Sequence, residues 1–187
     1  MKIRTHIPYH PEKDLAAAYN DYMSRLGEGE WACFLDHDAM FTTTDWYLQM
    51  DDVIGLHPEV ACFTAVTNRI WKGAKGQLYQ SGLSLDNHDV AVHRKVGAEL
   101  RDQFWGCVEP LPKSQPMSGF LILYNREVWE KVPFRKYQGR NCREPSFLGV
   151  DNQLHFDLIE AGYQVAVMKG VYIYHWYRGE AGRPHLP

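Results

Sequence analysis

No segment of this 187-residue chain is a long apolar run, no two of its cysteines are close together, and no stretch carries charge of a single sign. Each absence removes a class of protein. Nothing approaches the roughly 18 apolar residues that cross a bilayer, and the opening MKIRTHIPYHPEKD lacks the apolar centre of a secretion signal, so a soluble, cytoplasmic protein with no membrane span is expected. Cys33, Cys62, Cys107 and Cys142 form no C-x-x-C pair and mostly sit among apolar neighbours, which reads as reduced core thiols rather than a zinc knot or a disulfide framework. Twenty basic residues against 23 acidic give a net charge of -3 with no block of either sign, which argues against binding nucleic acid. Internal repeats and low-complexity tracts are missing as well.

What is present is an ordinary globular composition, 45% apolar, at a length that suits one domain with a single core. Aromatics make up 13%, including 6 Trp and 11 Tyr, enough to stack on sugars or bases and equally suited to filling the interior.

Hydrophobic spacing predicts alternating elements. Lys2 to Ile7 reads as a strand closed by Pro8 and Pro11; Leu15, Ala18, Tyr19, Tyr22, Met23 and Leu26 recur at helical spacing up to Gly27. Trp31 to Leu35 is a short apolar run that fits a strand buried on both faces, so strand, helix and strand should form a right-handed crossover with a parallel pair. A helix over Trp46 to Leu56 and a strand over Val60 to Val66 follow. Residues 68 to 90 show no period, and 91 to 104 fit a helix. Met117 to Tyr124 reads as a strand, Arg126 to Lys131 as a short helix, and Val150 to Ala161 as a helix stopped by Gly162. Tyr163 to Met168 and Val171 to Tyr174 read as two closing strands. The alternation predicts an α/β architecture. Between Pro133 and Gly149, Arg135, Lys136, Arg140 and Arg143 make a basic loop, a candidate lid over an anion or a solvated loop.

The stretch EWACFLDHDAMF, residues 30 to 41, ends an apolar strand in two aspartates. Residues two apart in an extended segment point the same way, so Asp36 and Asp38 present their carboxylates together while His37 turns aside. Their repulsion is relieved by a divalent cation, which prefers hard oxygen ligands, and the carboxyl end of a strand is where open α/β sheets bind ligands. The spacing alone carries little, because twelve aspartates in a chain of this length give about one D-x-D by chance; its place at a buried strand tip carries more. A metal-dependent nucleotidyltransferase also uses paired aspartates there, but it wants a glycine-rich phosphate loop after the first strand, and THIPYHPEK supplies none.

The run from AAAYNDYM through EWACFLDHDAMFTTTDWY resembles the nucleotide-sugar-dependent glycosyltransferases of the GT-A fold, particularly family 2 and the polypeptide N-acetylgalactosaminyltransferases. Three later segments match in the same order. MSGFLILYNREVWEKVPF resembles the donor-sugar strand and its following helix, FLGVDNQLHFDLIEAGYQV the acidic acceptor-site helix, and GVYIYHWYR the closing strand that ends in a metal-binding histidine. The resemblance implies a single GT-A-like, Rossmann-like domain over residues 1 to 187, with a mostly parallel central sheet flanked by helices, from which this chain departs in an abbreviated amino-terminal half.

It also implies roles. Asp38 becomes a direct metal ligand, Asp36 a contact to the ribose and the metal, and His175 the third protein ligand. An imidazole beside carboxylates favours Mn2+ over Mg2+, with a UDP-sugar as donor. Asp151 becomes the base that deprotonates an acceptor hydroxyl, giving inversion; helix capping is its alternative. Ser118 and Gly119 fall beside the donor sugar, Thr5, Ile7, Pro8 and Tyr9 frame the base and ribose, and Arg178, with Lys169 or the loop arginines, neutralises the leaving diphosphate. The acceptor is a glycan, a lipid-linked molecule or a small molecule, and a homo-oligomer stays open. With only 35 residues before Asp36 there is room for one strand-helix unit where the family usually has two, so the base stays open between UDP, GDP and others, and a non-catalytic remnant that binds nucleotide or sugar is the rival reading.

Overall fold

Six consecutive buried residues, Glu30–Leu35, make the strand that the sequence marks as apolar on both faces. The structure, a computed structural model, describes residues 2–70, 74–79, 87–138 and 149–176. Along them run β1 (Lys2–His6), α1 (Leu15–Ser24), β2 (Glu30–Leu35), β3 (Ala39–Phe41), α2 (Trp46–Leu56), β4 (Val60–Thr67), a 3-10 turn (Lys75–Gln77), α3 (Val90–Phe104), β5 (Val108–Pro110), β6 (Leu121–Asn125), α4 (Arg126–Trp129), α5 (Val150–Glu160) and β7 (Gln164–His175). Asp14 starts α1 by accepting the Ala17 N–H at 3.1 Å, and Asp89 starts α3 by accepting that of Ala91 at 2.8 Å. No helix among the described residues is long and apolar enough to cross a membrane.

The α/β class holds, but the sheet is mixed rather than mostly parallel. Its order is β1-β2-β6-β4-β7-β3, with β5 also on β7. The β1–β2 and β4–β7 pairs are parallel, whereas β6 runs against both β2 and β4, and β3 and β5 run against β7. Apolar runs report burial and not direction, which is why β6 gave no sign of its sense. The closing strands also differ from expectation: β7 is one strand of 12 residues. Its register on β4 jumps between Ala65, opposite Met168, and Val66, opposite Tyr172, so the sequence break at Lys169–Gly170 is a bulge and not a chain end. β3 and β5, three residues each, are too short for any periodicity to reveal.

Alternation along β2 divides the interior. Ala32 and Phe34 face a cluster with Tyr19 and Met23 of α1, Val96 and Leu100 of α3, and Leu154 and Leu158 of α5. Trp31, Cys33 and Leu35 face Met50, Val53 and Ile54 of α2. Cys33 and Cys62 are buried as expected, Cys107 is exposed, and Cys142 lies outside the described residues. Gly97 of α3 lies against Thr42, whose hydroxyl donates to the Tyr172 carbonyl at 2.7 Å; a Cβ at 97 would overlap that hydroxyl. At the end of the sheet, the Ile3 N–H of β1 donates to the Tyr47 hydroxyl at 3.2 Å, and Lys2 and Arg4 pair with Glu30.

His155 of α5 is fully buried, donating from Nε2 to the Pro112 carbonyl at 3.2 Å. Burial lowers its proton affinity, an effect that the Pro112 bond partly opposes. The unfolded chain therefore takes up a proton at higher pH than the folded chain does, and stability that is intact above about 6.5 declines as the pH falls below it. His155→Gln should flatten this decline. Urea unfolding of both proteins at pH 7.5 and 5.5 checks it, and an unchanged slope in the variant would count against it.

Candidate metal centre

β1, β2, β4 and β7 share one direction, so their carboxyl ends meet at a single rim, and β6 begins there because it runs the other way. The chain leaves β2 at Asp36, turns, and returns as β3 with Ala39 opposite His175 at the end of β7. Main-chain bonds hold the turn: the Asp36 N–H donates to the Phe120 carbonyl at 2.9 Å, Ala39 N–H to Asp36 at 3.1 Å, and Trp176 N–H to Asp38 at 2.9 Å. The pairing brings three side chains together. His175 Nε2 lies 3.1 Å from Asp38 Oδ1 and 3.7 Å from Asp36 Oδ2, and the three ligand atoms fall within 4.8 Å of one another.

The imidazole is 3% exposed, and its Nδ1 lies 3.0 Å from the Arg69 carbonyl oxygen. A carbonyl only accepts, so Nδ1 carries a proton and Nε2 is the ring atom that faces the carboxylates. Lone pair and carboxylates repel unless a cation lies among them, either a second proton on the ring or a metal ion. Carboxylate, carboxylate and imidazole, with the ring fixed from behind by a carbonyl, fit a divalent transition ion. Asn68 holds the histidine backbone, its Oδ1 accepting the His175 N–H at 2.8 Å. With the second proton on the ring, the hydrogen bond from His175 Nε2 lowers the proton affinity of Asp38. Burial raises that of Asp36, and the Asp38 and Asp151 carboxylates add to the rise while His175 opposes it.

Asp151 sits in the first turn of α5, but the residue that caps the helix is Gly149. Asp151 Oδ2 accepts the Gly119 N–H at 2.7 Å. Burial raises its proton affinity against the pull of the Asn152, Gly119 and Asp151 main-chain donors. The close approach that Gly119 permits is that of Asp151, because a Cβ there would stand 2.9 Å from the Asp151 Cβ. Ser118 donates its N–H to Gln77 Oε1 at 2.6 Å.

The other expected site residues are distributed as follows. Thr5 is exposed at the end of β1, opposite Cys33, and the segment after it reaches the same rim with Ile7 54% and Tyr9 75% exposed and Pro8 half-buried. Arg178, Arg140 and Arg143 lie outside the described residues. Of the basic loop, Arg135 pairs with Asp157 through two hydrogen bonds and Lys136 with Asp14 at 2.8 Å. Lys169 bonds Glu109 at 2.6 Å. Six residues of strand before His175 place it roughly 20 Å from the rim, too far to meet a diphosphate there.

Sequence reasoning missed Asn68, the Arg69 carbonyl and Gln77, whose segment has no period. Tyr19, read there only as part of a helical spacing, is a further case. The ring is core, in edge contact with Phe34 at 4.7 Å, yet Asp36 and Asp151 reinforce the rise in phenol proton affinity that burial causes. Compared with known families and with curated proteins, the chain matches no family model and none of those proteins.

Proposed function

We propose that the chain is a divalent-cation-dependent glycosyltransferase that moves a sugar from a nucleotide diphosphate donor, a UDP-sugar, to an acceptor hydroxyl. The observation that supports this reading is the buried His175 imidazole, whose Nδ1–H is taken by a main-chain carbonyl and whose Nε2 meets two carboxylates at 3.1 and 3.7 Å. Asp36, Asp38 and His175 are the protein ligands, a set more hospitable to Mn2+ than to Mg2+. When bound, the cation screens charge on the departing diphosphate, an effect worth several kcal/mol of barrier.

The rest falls to the chain itself. Asp151, with proton affinity raised by burial and one oxygen occupied by the Gly119 N–H, offers its other oxygen to the acceptor proton, with inversion as the outcome. Ile7 and Tyr9, exposed beside the same rim, present apolar surface to the base.

The test is release or transfer of sugar from UDP- and GDP-sugars, measured with Mn2+ and with chelator. Metal-dependent turnover of a UDP-sugar is expected, and Asp151→Asn should keep Mn2+-dependent UDP binding while losing on the order of 10² or more in rate. A wild-type chain that neither binds UDP with Mn2+ nor turns over any donor would falsify the proposal. The Gly119–Asp151 bond favours one second reading, a non-catalytic nucleotide- or sugar-binding module in which Asp151 is a clamp. UDP held with Mn2+ but never consumed identifies it.

A further inference from the structure

A residue in a sheet is held by an acceptor for its N–H and a donor for its C=O, and buried main chain rarely goes without either. The segment between β4 and α3 supplies two buried amides that act as such partners. Asn68 Oδ1 accepts the His175 N–H at 2.8 Å and its Nδ2 donates to the His175 carbonyl at 3.3 Å. Gln77 Oε1 accepts the Ser118 N–H at 2.6 Å, and its Nε2 donates both to the Ser118 carbonyl at 3.3 Å and to the Thr64 hydroxyl at 2.6 Å. Asn68 is 6% exposed and Gln77 fully buried, so neither group has water as a substitute. From His175 the connection continues through the ring to Asp38; from Ser118 it continues through the Gly119 N–H to Asp151.

We propose that Asn68 and Gln77 are positioning residues that set the two halves of the site separately. Asn68, with the Arg69 carbonyl, fixes the imidazole for the cation, and Gln77 fixes Ser118 and Gly119 and through them the Asp151 carboxylate. What the halves do rests on the proposed function; how they are held rests on the hydrogen bonds alone.

Amide hydrogen exchange in the metal-free protein reads the clamps directly. Asn68→Leu should speed exchange at His175 and not at Ser118, and Gln77→Met should do the reverse. Mn2+ affinity, measured by electron paramagnetic resonance, should fall on the order of 10- to 100-fold in Asn68→Leu, as when an outer-shell partner is lost, and stay unchanged in Gln77→Met. In the transfer assay Gln77→Met should lower kcat on the order of 10²-fold at constant donor KM, the cost of a small misplacement. Gln77→Glu should restore most of it, because a buried carboxyl takes up a proton and again offers one donor and one acceptor. If either apolar variant fails to fold, Asn68→Ser and Gln77→Ser, which remove the amide and leave room for water in its place, carry the same readouts. Unchanged exchange at both amides, full Mn2+ affinity in Asn68→Leu, or joint loss of both functions in each variant overturns the inference. A wild-type protein that takes no Mn2+ refutes the proposed function instead, and amide exchange still decides the clamps.

Discussion

Asp38→Ala is expected to abolish Mn2+-dependent nucleotide binding. Asp38 contributes the oxygen nearest the imidazole, at 3.1 Å from Nε2, and its proton affinity is already lowered, so it stands ready as an anion. Removing it leaves one carboxylate and one imidazole of the three proposed ligands. The loss should exceed the roughly 10- to 100-fold that follows removal of an outer-shell partner. Because a ligand that binds only the folded state stabilises it, Mn2+ should raise the unfolding temperature of the wild type and leave that of the variant where it was. Calorimetric titration of UDP with and without Mn2+ supplies the affinity. A variant that binds as tightly as its parent would remove Asp38 from the metal centre.

Gly97→Ala should destabilise the fold, against the ordinary rule. In a helix interior alanine is favoured over glycine by about 1 kcal/mol. At this position the added methyl enters the space of the Thr42 hydroxyl, which is itself bonded to the Tyr172 carbonyl of β7. Either α3 moves off the sheet or Thr42 gives up a buried bond, and overpacking of this kind costs about 1–3 kcal/mol. Urea unfolding measures the difference. Thr42 directly follows β3, the strand that carries Ala39 to its place opposite His175, so the same change should also weaken Mn2+ binding. A gain in stability would show that α3 does not pack as described.

Much of the architecture is legible in the residues because burial leaves a period. α1 and α5 begin where Leu15 and Val150 open an apolar stripe, and β2 coincides with the run ending in Leu35. Direction leaves none, so β6 could not be distinguished from a parallel neighbour. The bulge in β7 looked like an interruption because Lys169 and Gly170 break an apolar run whose hydrogen bonding continues. At the site, the twin aspartates were visible as charge at a strand tip, but His175 was one of 9 histidines and was singled out by resemblance of its surroundings, not by spacing. Asn68 and Gln77 were invisible for a different reason: an amide acquires its role from the main chain it happens to face, and nothing local records that. Lys169 illustrates the converse, a cation free to be assigned on paper whose partner, Glu109, comes from another part of the chain.

The outermost strand has a further consequence for how copies of the chain meet. A bare strand is a template on which a second molecule can lie and extend the sheet. Here the phenol of Tyr47 already occupies the Ile3 donor, and an arriving twin would bring its own Lys2 and Arg4 beside theirs. Fibre-like growth from this border is therefore disfavoured.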